Sequence, residues 1–130
     1  MDFRIERRSG VPTYLQIVTQ VRQALRLGTL RPGDRLPTAK AVVAQTAVNA
    51  NTVLKAYREL ERDGLVEPRP GLGTFVLRSL ARPDSDADVL LRAELEKWMA
   101  RAAAAGLDRE DIDALVTDVR DQQFPRGEHA

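Results

Sequence analysis

The chain contains no cysteine. Disulfides, thiolate metal sites and thiol nucleophiles are thereby excluded, which fits a reducing compartment. Its single histidine, His129, stands beside the last residue, a poor place for a Ser–His or Cys–His pair. There is no P-loop, and Gly71-Leu72-Gly73 is not a dinucleotide fingerprint because no helical pattern follows it. Carboxylates cluster at Asp84, Asp86 and Asp88 and again from Asp108 to Asp113. These positions suit linker and helix-cap roles better than a metal site or a catalytic acid pair. No enzyme activity, metal or cofactor is expected. No run approaches the roughly 18 apolar residues that span a bilayer. The N-terminal segment carries Asp2, Arg4, Glu6, Arg7 and Arg8 without an apolar stretch, so no signal peptide is expected and the cytoplasm is the expected location.

What is present is ordinary in amount and uneven in distribution. Of 130 residues, 43% are hydrophobic and 30% charged, which places the chain among globular proteins of one small domain with an appendage. A core this small gains from oligomerisation. The net charge of +1 conceals an asymmetry. Residues 1–78 hold 13 basic and 7 acidic side chains, a net of +6; residues 79–130 hold 7 basic and 12 acidic, a net of −5. A basic front and an acidic back suit a nucleic-acid binder with a separate association module. Chance sorting of solvated charges is the alternative.

Periodicity divides the chain into short elements. Residues 2–8 are expected to form a short strand or arm, and Pro12 to occupy the first turn of a helix. Tyr14, Ile17, Val18, Val21 and Leu25 form one apolar helical face, which Gly28 ends. Thr38 is the expected N-cap of a helix through about Gln45, with Val42 and Val43 inward; Asn49 is that of a longer helix whose core stripe is Val53, Ala56, Tyr57 and Leu60. Gly64 closes it, and strands at 65–69 and 73–77 flank a tip of Pro70-Gly71-Leu72. Residues 79–83 read as a linker. A helix from Asp84 to about Ala105 then carries Leu91, Leu95, Trp98 and Ala102 on one face, and Gly106 breaks it. Asp108 caps a last helix on which Ile112, Leu115, Val116 and Val119 form another apolar face; the tail from Phe124-Pro125 onward is expected to fray.

The expected fold is therefore mainly α with a small β-hairpin: a winged helix-turn-helix head, residues 1–78, followed by a two-helix tail, residues 84–130. A helix-turn-helix lays its second helix in the DNA major groove, and a glycine-tipped hairpin behind it serves as a wing. The segments Val11-Pro12-Thr13-Tyr14-Leu15-Gln16-Ile17, Gly28 to Pro37, Thr38 to Lys40, Val48 to Val53, Ala56 to Glu61 and Gly64 to Val76 together resemble the winged helix-turn-helix of the GntR family of bacterial transcription regulators. The resemblance covers residues 11–77. The short two-helix remainder is similar to the YtrA subfamily. That resemblance implies a dimeric regulator, repression rather than activation, and control of a transporter operon.

On the helix after Asn49, the stripe opposite the core presents Asn51, Lys55 and Arg58, with Thr52 beside them. Asparagine reads adenine edges, and lysine or arginine reads guanine O6 and N7. Asn51, Thr52 and Lys55 are the base-edge candidates. Arg58 either joins them or pairs with Glu59 or Glu61, and the bland alternative for the stripe is a solvated face. Thr38 and Lys40, at the start of the preceding helix, are phosphate candidates with Arg35; Thr38 is alternatively only a cap. The family pattern has arginine where Lys40 stands, and lysine lacks its bidentate geometry, which favours phosphate over guanine contact. At the wing, Gly71 permits close backbone approach and Arg69 suits a narrow minor groove. Leu72 stands where the family has a polar or basic tip, which weakens the wing contact, and an ordinary tight hairpin is the alternative.

In the tail, Leu91, Leu95, Trp98 and Met99, with Ile112, Leu115 and Val119, form more apolar surface than two helices enclose. Packing within the tail and a homodimer interface are both compatible with it, and the dimer is favoured because aromatic and methionine anchors are enriched at interfaces. The expected partners are operator DNA and a second copy of the chain, without a membrane; no effector is legible. The alternative is a helical interaction module that has lost specific DNA binding.

Overall fold

The computed structural model describes residues 1–82 and 86–126; Pro83, Asp84, the C-terminal residues 127–130 and hence His129 lie outside them. The chain divides into two compact units, Met1–Arg82 and Pro83–Ala130.

In the first unit three helices pack on one core: α1 (Thr13–Leu27), α2 (Ala39–Thr46) and α3 (Ala50–Arg62). On α1 the expected face is inward, with Ile17, Val18, Val21 and Leu25 buried and Tyr14 packed at its edge. Pro12 is the N-cap of α1 rather than part of its first turn. Gly28 closes the helix in the left-handed conformation at φ +76°, which only glycine adopts without strain. On α2, Val42 is fully buried while Val43 is half-exposed. All four core positions of α3 are buried, and α3 packs on both α1 and α2. It ends at Arg62 with Asp63 as cap, one residue before Gly64. The Tyr57 hydroxyl donates to the Pro37 carbonyl at 2.6 Å. That bond ties the middle of α3 to the turn that launches α2, and burial raises the phenol's pKa above its ordinary value.

The wing is an antiparallel hairpin of β1 (Val66–Arg69) and β2 (Gly73–Val76). It is wider than the expected pair. The segment 33–36 runs along the other edge of β2: the Leu36 amide donates to Thr74 O at 2.8 Å, the Gly33 amide to Val76 O at 2.9 Å, and the Val76 amide to Asp34 O at 2.8 Å. Pro32 and Pro37 bound this segment and keep it too short for period-2 alternation to register in the sequence.

Residues 2–8 form no strand. They lie along α1 as an arm, held by two glutamine amides one helical turn apart. Gln20 accepts from the Arg4 amide and donates to its carbonyl (2.9 and 2.6 Å), and Gln16 does the same for Glu6 (2.8 and 3.0 Å). Phe3 is thereby buried in the core.

The second unit contains α4 (Asp86–Ala104) and α5 (Arg109–Gln123). Gly106, at φ +92°, allows the turn between them. A capping box starts α5: Asp108 accepts from the Asp111 amide at 2.8 Å, and the Asp111 side chain accepts from the Asp108 amide at 3.0 Å. Ala102 is this unit's buried core residue among those described. Trp98, Met99 and Ile112 are half-buried, whereas Leu91, Leu95, Leu115 and Val119 are exposed. Among the described residues no helix is long and apolar enough to cross a membrane.

Candidate nucleic-acid interface

Two helix starts lie close in sequence and are both capped by side chains. Thr38 Oγ1 accepts from the Ala41 amide at 3.0 Å, and Asn49 Oδ1 from the Asn51 amide at 2.7 Å. Each cap satisfies one of the amides that a helix start leaves free. Thr38 is thus a cap in this structure. Its neighbour Lys40 is exposed, with no hydrogen bond or ion pair among the described residues.

On α3, Asn51 and Arg58 are exposed and Thr52 is half-exposed; among the described residues their side chains make no hydrogen bond or ion pair. The expected alternative of an Arg58 pair with Glu59 or Glu61 is not formed. Lys55 behaves differently. Its ammonium lies 4.0 Å from the centroid of the Tyr14 ring, a cation–π contact worth about 0.5–1 kcal/mol at an exposed site. Lys55 is therefore drawn to the flank of α3 that faces α1. Tyr14 had registered in the sequence only as part of the α1 stripe, and nothing local signals its pairing with a residue on another helix.

The wing gathers two arginines. The aliphatic stem of Arg35 lies across Gly73, where a Cβ would come within 2.9 Å of Arg35 Cδ. Its guanidinium reaches to 3.5 Å of the Leu72 carbonyl. Arg35 thus stands at the wing tip and not at the start of α2. Arg69 is held to the hairpin by Glu67 at 3.0 Å and by the Phe75 ring, whose centroid lies 4.5 Å from the guanidinium carbon. Gly71, at φ +76°, makes the tip, and Leu72 is exposed there. Arg7 is also committed, donating to the Thr46 carbonyl at the end of α2 at 2.7 Å. Arg22 and Asp63 form an ion pair that joins α1 to the end of α3.

Among the described residues no group of His, Cys, Asp or Glu could hold a metal ion. The arrangement is a packed tri-helical head with a polar stripe on its third helix, where Asn51, Thr52 and Arg58 are unpaired among the described residues, an exposed lysine on its second and two arginines at its hairpin. It offers hydrogen-bond donors and positive charge on rigid elements, which suits recognition of a polyanion rather than bond-making chemistry.

Comparison with known proteins agrees. The family model described as bacterial regulatory proteins, gntR family, matches residues 13–76. The HTH-type transcriptional regulator Rv1152 of Mycobacterium tuberculosis is 38% identical over 118 residues, covering 91% of this chain and 93% of that protein. The HTH-type transcriptional repressor YtrA of Bacillus subtilis is 30% identical over 117 residues, covering 89% and 90%. Among solved structures, the DNA-binding domain of AraR in complex with operator ORX1 is 25% identical, covers 58% of this chain and 98% of that one, and superposes with a TM-score of 0.53.

Proposed function

Since the chain belongs to the GntR family of bacterial regulatory proteins, with YtrA-like affinity, and is a DNA-binding transcription regulator rather than an enzyme, we propose that it is a cytoplasmic repressor that occupies a palindromic operator as a homodimer. Residues 1–78 bind DNA and residues 84–130 hold the dimer. The start of α3 enters the major groove, with Asn49, Asn51 and Thr52 toward base edges and Arg58 a turn behind them. Lys40 and the amides at the start of α2 contact phosphate, with Arg35, Arg69 and Gly71 at the wing beside the minor groove. Lys55 leaves Tyr14 to join the base contacts or stays to brace the helix. A transporter operon is the proposed target class, by likeness to the YtrA subfamily.

One observation carries the reading of the head: the Asn51, Thr52 and Arg58 side chains on the outer stripe of α3 have no partner among the described residues, although the opposite stripe is buried. The dimer is supported by the second unit taken alone. Leu95, Trp98, Leu115, Val116, Val119 and Phe124 line an apolar groove of about 570 Å³ between α4 and α5, and aromatic and aliphatic side chains left uncovered on a helix pair suit an association surface. A gel shift with DNA from upstream of the chain's own gene, against mixed-sequence competitor, tests the proposal. A complex that survives competitor supports it. Equal competition by any DNA would leave a non-specific binder.

A further inference from the structure

Leu54 belongs to neither the core of α3 nor its polar stripe. It is 39% exposed, while its neighbours Val53, Ala56, Tyr57 and Leu60 complete the buried face. It stands three residues after Asn51 and four before Arg58, so the three share one side of the helix. Ala50, four residues before it, is also exposed. The other flank of α3 is the one that Lys55 and Tyr14 close against α1. Beside the amide of Asn51, the accessible side of the helix thus offers an apolar Ala50–Leu54 step. The major groove presents one apolar group on its base edges, the C5-methyl of thymine.

We infer that Leu54, with Ala50 beside it, is a specificity-determining residue that reads a thymine methyl in each half-site. The inference rests on the proposed function, since it needs α3 in the major groove of a preferred sequence. It gives the half-site a chemistry that the polar stripe does not: a position where thymine is preferred over cytosine through its methyl group, with no hydrogen bond made to it.

The test uses the intact chain and a duplex selected by it from randomised DNA. Each thymine of the selected site is replaced in turn by deoxyuridine, which removes the methyl and leaves the pairing edge unchanged. One thymine per half-site is expected to lose about fourfold in affinity, the equivalent of one buried methyl or methylene group. In Leu54→Ala that dependence should vanish at the same position while other positions respond as before. Leu54 is exposed and alanine is a strong helix former, and circular dichroism verifies that the variant stays folded. Indifference to every deoxyuridine, or an undiminished methyl dependence in Leu54→Ala, would overturn the assignment while leaving sequence-specific binding intact. A selection that enriches no sequence would instead overturn the proposed function and this inference with it.

Discussion

Thr38, Lys40 and Arg35 were grouped by sequence as phosphate contacts, and the structure gives them three different physical settings. Lys40 is a free ammonium on the first turn of α2. Lys40→Ala should weaken binding to every sequence alike and reduce the log–log salt slope by about 0.9 per bound protomer, the share of one neutralised phosphate; titrations at several salt concentrations read both. Thr38→Ala should also weaken all sequences alike, and should additionally lower thermal stability by about 1 kcal/mol, because the hydroxyl caps α2. Arg35→Ala should act through the wing. Its stem leaves no room for a Cβ on Gly73, which sits at φ +123°. Gly73→Ala is accordingly expected to cost about 1–3 kcal/mol in backbone strain alone and to weaken DNA binding by displacing Arg35. Thermal unfolding and a gel shift check the two effects, and a variant unchanged in both would remove Arg35 from the wing.

At the scale of elements, the proposed function assigns specificity to α3. Asn51→Ala should lose about 1–3 kcal/mol toward the selected operator and much less toward random DNA, measured as the ratio of specific to non-specific affinity. Lys55→Ala should change that ratio only if the ammonium leaves Tyr14 on binding; a loss common to all sequences would instead mark a brace between α1 and α3. The helices themselves were legible because each buries one face at a 3.6-residue period, as Ile17, Val18, Val21 and Leu25 do on α1 and Val53, Ala56, Tyr57 and Leu60 on α3. The caps Thr38, Asn49 and Asp108 were legible because their side chains bond amides two or three residues on. What escaped was non-local. The segment 33–36 pairs with β2 across the whole of α2 and α3. The arm is held by Gln16 and Gln20, whose polar amides carry no apolar periodicity. Leu54 carries no sequence signal because a single exposed leucine has no periodic signature, and the Lys55–Tyr14 contact carries none because it joins two helices. Of the candidate interface, the residue set could be named from sequence, but which side chains were already occupied could not.

For the whole molecule, the proposed function gives DNA binding to the basic first unit and association to the acidic second one. The tail's charge disfavours DNA contact, and its apolar residues Leu91, Leu95, Leu115 and Val119 stay exposed in the single chain. A two-fold dimer through these helices would set two copies of α3 at a fixed spacing on an inverted repeat. Trp98→Ala should cost about 3–5 kcal/mol of folding or association if the ring is enclosed in the dimer; sedimentation of the intact variant reads the loss. Truncation after Arg82 should leave a monomeric head that binds DNA weakly, and this boundary keeps Leu80, which packs against the head's core. The most direct test of the central claim is selection of binding sites from randomised duplex DNA by the intact chain. One inverted repeat, with half-site centres about one helical turn apart or a multiple of it, is the expected product. Recovery of no preferred sequence, or of a lone half-site bound at full affinity, would contradict a dimeric operator-binding regulator.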